Sequence, residues 1–188
     1  MVCFSDNNIY IIGIIFFKMK LNIGTGNKKI EGSKSMDIRS ETKPDYLVDL
    51  EKENSLHKIP ENFVDEIFMG HTFEHIKNIT NLMKEIYRVC KNNAKVVITS
   101  PYWSHRTAVE DPTHVRFMTE NSMMYFNKET TGSDGSNFVK GYNFKIVGIG
   151  LNLDKRCNGM DIKQLRELMV KEINVIQEII YELKVIKI

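Results

Sequence analysis

At 188 residues the chain has the size of one domain, long enough to bury most of its apolar surface without disulfides or a structural metal. Apolar residues (42%) and charged residues (27%) stand in ordinary globular proportion, and a formal net charge of +2 supplies no broad basic field, so nucleic acid is not the default partner. The cysteines, Cys3, Cys90 and Cys157, are odd in number, far apart and form no Cys-x-x-Cys pair, which argues against a disulfide framework or a zinc motif and suits a reducing cytoplasm.

The first element is an apolar run, Ile9 to Phe17, far shorter than the ~20 residues of a spanning helix. Asp6 precedes it and Lys18 and Lys20 follow, the reverse of a secretory signal. Residues 1–18 therefore read as an extension ahead of a single domain at 19–188. A β-rich extension is the first reading; an anchor, or translation from upstream of a true start at Met19, are the alternatives.

Residues 20–23, 34–38 and 45–50 are short apolar-alternating runs that predict three strands. Only segment 24–33 separates the first two, close to the lower limit of ~10–12 residues for a parallel crossover, so the first connection is abbreviated. After Pro60 and Asn62, residues 64–69 predict a buried central strand. Ile79, Leu82, Met83, Ile86, Val89 and Cys90 recur at helical steps, predicting a helix over 78–91 that Asn92-Asn93 ends. Residues 94–100 and 144–153 predict two further strands. Between them lies a polar loop, 101–143, with a short helix expected at 119–126; it follows a strand's carboxyl end, where open α/β sheets bind ligands. In 161–187, Ile162, Leu165, Met169, Ile173, Ile176, Ile180 and Leu183 form a stripe read as a C-terminal helix packed on the sheet, with a homodimer contact as its alternative use. The chain is thus an α/β protein with a mostly parallel sheet, flanking helices, an abbreviated first crossover and a C-terminal helix.

The chemistry centres on the turn after the first strand. In Leu21-Asn22-Ile23-Gly24-Thr25-Gly26 the glycines let a ligand approach backbone without meeting a Cβ. A dinucleotide site would require another glycine where Lys29 stands, and a full helix facing the pyrophosphate. A phosphate-free nucleoside cofactor tolerates the short turn better. Asp37, ending the second strand, can accept from both ribose hydroxyls, and Asp49, ending the third, from an adenine amino group beside the Leu50 backbone.

Over residues 20–100 these motifs, in order, resemble the class I S-adenosylmethionine-dependent methyltransferases, especially compact type-11-like members. LNIGTGN resembles the family's glycine motif, SMDIR its acidic strand end, DYLVDLE its adenine segment and IPENFVDEIFMGHTFEHI its fourth strand and following loop. EIYRVCKNNAKVVITSP resembles its helix and fifth strand. The resemblance implies a Rossmann-like fold, S-adenosylmethionine as cofactor, and Asn22, Gly24, Thr25, Gly26, Asp37, Asp49, Leu50 and His71 as its contacts. One departure is Lys28, which stands at the family's third glycine.

Methyl transfer to a hydroxyl requires a base near the strand ends. His105 and His114 in the loop after the fifth strand are the candidates, with Asp111 to orient one of them. Asp111-Pro112-Thr113-His114 also reads as a turn and cap, and Glu74-His75 as the cap of the following helix. The set His105, Asp111 and His114 offers metal-ligand chemistry but no compact ligand spacing, so no metal is expected. Tyr102 and Trp103 fit a pocket wall or the core equally. Gly70-His71-Thr72-Phe73 lacks the Pro-Pro-aromatic motif of adenine amino-methyltransferases, which disfavours DNA.

The sequence therefore predicts a methyltransferase acting on a small-molecule or glycan acceptor at oxygen or nitrogen. The competing readings are a catalytically silent module of the same fold and a nicotinamide-dependent enzyme.

Overall fold

The computed structural model describes residues 18–129 and 141–187 in full, and the backbone of 2–5 and 8–11. Strands β1 (Val2–Ser5) and β2 (Asn8–Ile11) form an antiparallel pair. The remainder of the apolar run, 12–17, lies outside the described residues. No helix among the described residues is long and apolar enough to cross a membrane.

The domain follows as β3 (Lys20–Ile23), β4 (Lys34–Asp37), β5 (Tyr46–Leu47), β6 (Val64–Gly70), α1 (Ile79–Val89), β7 (Cys90–Pro101), α2 (Arg106–Glu110), β8 (Phe144–Leu153), α3 (Ile162–Lys171) and β9 (Ile176–Val185). Strands β3 to β9 make one sheet of order β5-β4-β3-β6-β7-β9-β8, parallel from β5 to β7. β9 runs antiparallel to both neighbours. From β3 the chain builds outward through β4 and β5, then returns to pair β6 on the other flank of β3. Beyond the carboxyl ends of β3 and β6 the strand order reverses, and such a switch point opens a crevice.

Leu21 and Ile23 of β3, Ile67 and Met69 of β6, and Val96 and Ile98 of β7 are fully buried, as expected of central strands. Segment 24–33 contains no helix. Instead Gly24 and Thr25 N–H both donate to the Met36 carbonyl, folding the turn directly onto β4. β5 is shorter than the expected 45–50: Val48 N–H still donates to the Asp37 carbonyl in the ladder with β4, and the chain then turns at Asp49.

Asn78 caps α1 by accepting from Asn81 N–H, and the helix buries Leu82, Met83, Ile86 and Val89 on one face. Glu74-His75 therefore does not cap it. Glu85 is buried on the same helix and takes two hydrogen bonds from Arg88 and one from Leu56 N–H, while Arg88 donates to the Leu56 and Ile59 carbonyls. That latch fixes the loop before β6. Asn92-Asn93 does not end α1. Cys90 is already extended and paired with Val64, and Asn93, at φ +66°, lies where the β6–β7 register shifts, as in a bulge.

The expected helix at 119–126 is a turn with one 3-10 segment, Met124–Phe126. The larger correction concerns 161–187. A helix forms only over Ile162–Lys171, capped by an Asp161–Gln164 box and burying no residue, and Asn174 at φ +60° breaks the chain. Residues 176–185 are strand β9, inserted between β7 and β8. Ile179, Tyr181, Leu183 and Val185 alternate as a buried face, so period two governs where the i, i+3, i+4 stripe predicted a helix. That stripe is consequently not one surface, and the dimer contact drawn from it loses its basis.

Candidate functional site

The crevice at the switch point is a cavity of about 690 Å³, within the usual range for small-molecule sites. The ends of β3, β4 and β6 and the turn after β5 line it, with Gly24, Asp37, Asp49, Leu50 and His71 among the lining residues. Ile23, Met36, Ile38, Val48 and Ile76 add an apolar wall. Gly24 sits at φ +68°, and a Cβ there would come within 1.9 Å of Thr72 Oγ1. Only glycine lets the β3 turn and the β6 turn close together on this cavity.

Asn22, Thr25 and Gly26 do not line the cavity; they shape the turn from behind. Asn22 is buried and its side-chain amide donates to the Lys28 carbonyl. The Thr25 hydroxyl donates to the Asn22 and Met36 carbonyls. Gly26 N–H donates to Asp37 Oδ2 at 2.6 Å. Lys28 is exposed and not part of the lining, so the missing third glycine does not shorten the cavity.

Burial pushes the Asp37 pKa up, but the Arg39 N–H, the Gly26 N–H and the Arg39 guanidinium outweigh it and hold the carboxyl below its ordinary value. Arg39 N and Nε lie 2.9 and 3.2 Å from Oδ1. A carboxylate has about four acceptor sites, of which these bonds take three, so one, on Oδ2, remains for a ligand hydroxyl. Asp49 caps its own turn by accepting from Glu51 N–H through Oδ1, and it lines the cavity.

A second cavity, about 580 Å³, adjoins the first and shares His71 and His75 with it. His105, Asp111 and His114 all line it, so the polar loop does bring the three together. They differ in setting. His105 caps α2: its Nδ1 accepts from Thr107 N–H, which leaves the proton on Nε2. His114 donates from Nδ1 to the Ala108 carbonyl, leaving Nε2 to accept, 3.9 Å from both Glu74 Oε1 and Asp111 Oδ2.

Sequence reasoning missed Glu74 and Glu178. Glu74 is 1% exposed, accepts from the Ser100 hydroxyl at 2.7 Å through Oε2, and has no hydrogen-bond partner on Oε1. Burial acts to raise its pKa, yet the His71 ring, its own backbone N–H and Ser100 hold it below the ordinary value. His71, at φ +50°, bonds Glu178 Oε1 through Nε2 at 2.7 Å and faces Glu74 Oε1 through Nδ1 at 3.6 Å. Glu74 foremost, opposed by burial and aided by Glu178, raises the His71 pKa. Glu178 belongs to β9 and was hidden by the helical reading of that segment. Tyr102 is core, its hydroxyl donating to Glu120, while Trp103 is half exposed; neither lines the cavity.

Residues 28–98 match the family model described as a methyltransferase domain. No curated protein sequence matches the chain. A SAM-dependent methyltransferase from Archaeoglobus fulgidus superposes with a TM-score of 0.60 at 17% identity, over 89% of this chain and 86% of that one. An S-adenosylmethionine-dependent methyltransferase from Mesorhizobium loti gives 0.55 at 11% identity, over 88% and 90%. Phosphoethanolamine N-methyltransferase 2 of Haemonchus contortus, in complex with S-adenosyl-L-methionine, gives 0.54 at 13%, over 91% of this chain and 49% of that one.

S-adenosylmethionine fits the first cavity by three tests: the volume, the apolar wall beside Leu50 that suits adenine, and two carboxylates at strand ends. The methyltransferase-domain match lies on a seven-stranded sheet with this switch-point cavity, and the fold is the one that these S-adenosylmethionine-dependent methyltransferases share.

Proposed function

We propose that the protein methylates a small polar acceptor, a small molecule or glycan bearing a hydroxyl or amine, bound in the second cavity. The observation that carries this reading is that the two cavities meet at His71 and His75. A cofactor in one and an acceptor in the other would be neighbours across a single boundary, which in-line displacement requires.

S-adenosylmethionine, when bound, supplies the electrophilic methyl group. Asp37 is assigned to its ribose, Asp49 and Leu50 to its adenine, and Gly24 to the close backbone approach. In the metal-free protein His114 is the preferred base over His105. Its Nε2 is free to take the acceptor's proton, and Glu74 and Asp111, each 3.9 Å away, would stabilise the imidazolium. Glu74, Glu110, Asp111 and Glu178 around the same cavity favour an acceptor rich in hydrogen-bond donors.

Incubation with methyl-labelled cofactor and a panel of small hydroxyl, amine and glycan acceptors tests this. Label should move to an acceptor, and His114→Ala should slow transfer by about 10²–10⁴-fold for a hydroxyl. Binding of cofactor with no transfer to any acceptor would favour the silent module instead.

A further inference from the structure

We propose that Glu74, His75 and His114 form a binding site for a first-row divalent cation, of the Zn²⁺ class, in the wall of the second cavity. One ligand atom from each of these residues lies within 4.8 Å of the others. Two imidazoles and one carboxylate form an established ligand set for such ions, with the remaining positions open to water or substrate.

The hydrogen bonds around the cluster arm it for this use. His114 donates from Nδ1 to the Ala108 carbonyl, so its Nε2 lone pair faces the cluster. The Thr113 hydroxyl donates to Asp111 Oδ1 at 2.6 Å and therefore accepts from His75 Nδ1 at 2.9 Å, which leaves the lone pair on His75 Nε2. Ligating histidines characteristically donate their other ring N–H to a carbonyl or a carboxylate-linked group in this way. The third donor is the second, independent observation. Glu74 is buried, and its Oε1 is a side-chain oxygen without a hydrogen-bond partner, while Oε2 is fixed by Ser100. A buried carboxylate oxygen left bare is costly unless a cation meets it. In the metal-free protein His71 Nδ1, 3.6 Å away, is the group that faces it besides His114.

Bonds of about 2.0–2.2 Å to Zn²⁺ put neighbouring ligand atoms roughly 3.3 Å apart, so side-chain shifts of roughly half to one and a half ångströms close the site. A cation here would stand beside the boundary shared by the two cavities. It would draw in an acceptor oxygen and favour its deprotonation, with His114 then a ligand and not the base. That use rests on the proposed methyl transfer, whereas the binding itself does not.

The test is calorimetric titration of tag-free, chelator-treated protein with Zn²⁺, repeated with Co²⁺ by visible absorption and set beside titration with S-adenosylmethionine. Wild type should take one equivalent, with a Co²⁺ spectrum of low coordination number. Glu74→Gln and His114→Ala should each weaken the metal at least tenfold and leave cofactor affinity unchanged, with circular dichroism confirming the fold. Absence of metal binding by wild type, or equal binding by both variants, overturns the cation site. Wild type that binds cofactor but no metal overturns this inference alone, and wild type that binds metal but no cofactor sinks the methyl-transfer reading alone.

Discussion

Gly24 and Thr72 approach so closely that a Cβ on the glycine would lie 1.9 Å from the Thr72 hydroxyl oxygen, with Gly24 itself at φ +68°. The turn after β3 and the turn after β6 are therefore coupled through the one residue that has no side chain. Gly24→Ala should destabilise the fold by about 2–4 kcal/mol, from left-handed backbone strain and overpacking together. Urea unfolding would read this as a lowered midpoint, and cofactor affinity should fall with it.

Asp37 should give the protein an acid-sensitive component of stability. Its folded pKa is held below the ordinary 3.8, so its contribution is fully present above that value and is lost as the pH falls through the folded pKa. In denaturant titrations across acid pH, Asp37→Asn should lie below wild type near neutrality, and the gap should narrow as the pH drops below about 4. Parallel curves would count against the assignment.

The Glu85–Arg88 latch predicts a packing defect away from either cavity. Glu85 is almost fully buried and Arg88 about a quarter exposed, so removing Glu85 leaves the better-solvated charge, whereas removing Arg88 leaves a buried carboxylate without its partner. Glu85→Ala should cost about 2–4 kcal/mol in urea unfolding, and Arg88→Met at least as much although its apolar stem is kept.

Cys90 should behave as an inert thiol. Burial foremost pushes its pKa up to about 12, with Lys187 opposing and Asp65 adding slightly. A thiol reagent at mildly alkaline pH should leave Cys90 unmodified in folded protein and modify it after unfolding, as mass spectrometry of the Cys90 peptide would show.

Much of this was legible in the chain because local patterns and tertiary burial agree there. β3, β4, β6 and α1 show one clear period each, and the glycine turn with Asp37 and Asp49 behind it sits where the sheet reverses direction. β9 was not legible: Ile176, Ile180 and Leu183 satisfy a helical step while Ile179, Tyr181, Leu183 and Val185 satisfy alternation, and only insertion between β7 and β8 decides between them. Glu178 went unseen with it. Glu74 was overlooked because a Glu-His pair before a helix reads as a cap, and Asn78, which does the capping, left that carboxylate free to turn into the cavity.

The central claim is that the cavity between the β3 and β6 turns holds S-adenosylmethionine, with Asp37 on its ribose. Calorimetric titration of wild type, Asp37→Ala and His114→Ala with S-adenosylmethionine tests it most directly. One equivalent should bind to wild type, Asp37→Ala should bind about 5- to 150-fold more weakly, the equivalent of ~1–3 kcal/mol of unpaired ribose contacts, and His114→Ala should match wild type. Folded wild-type protein that takes up no cofactor, or an Asp37→Ala variant with undiminished affinity, would contradict the account.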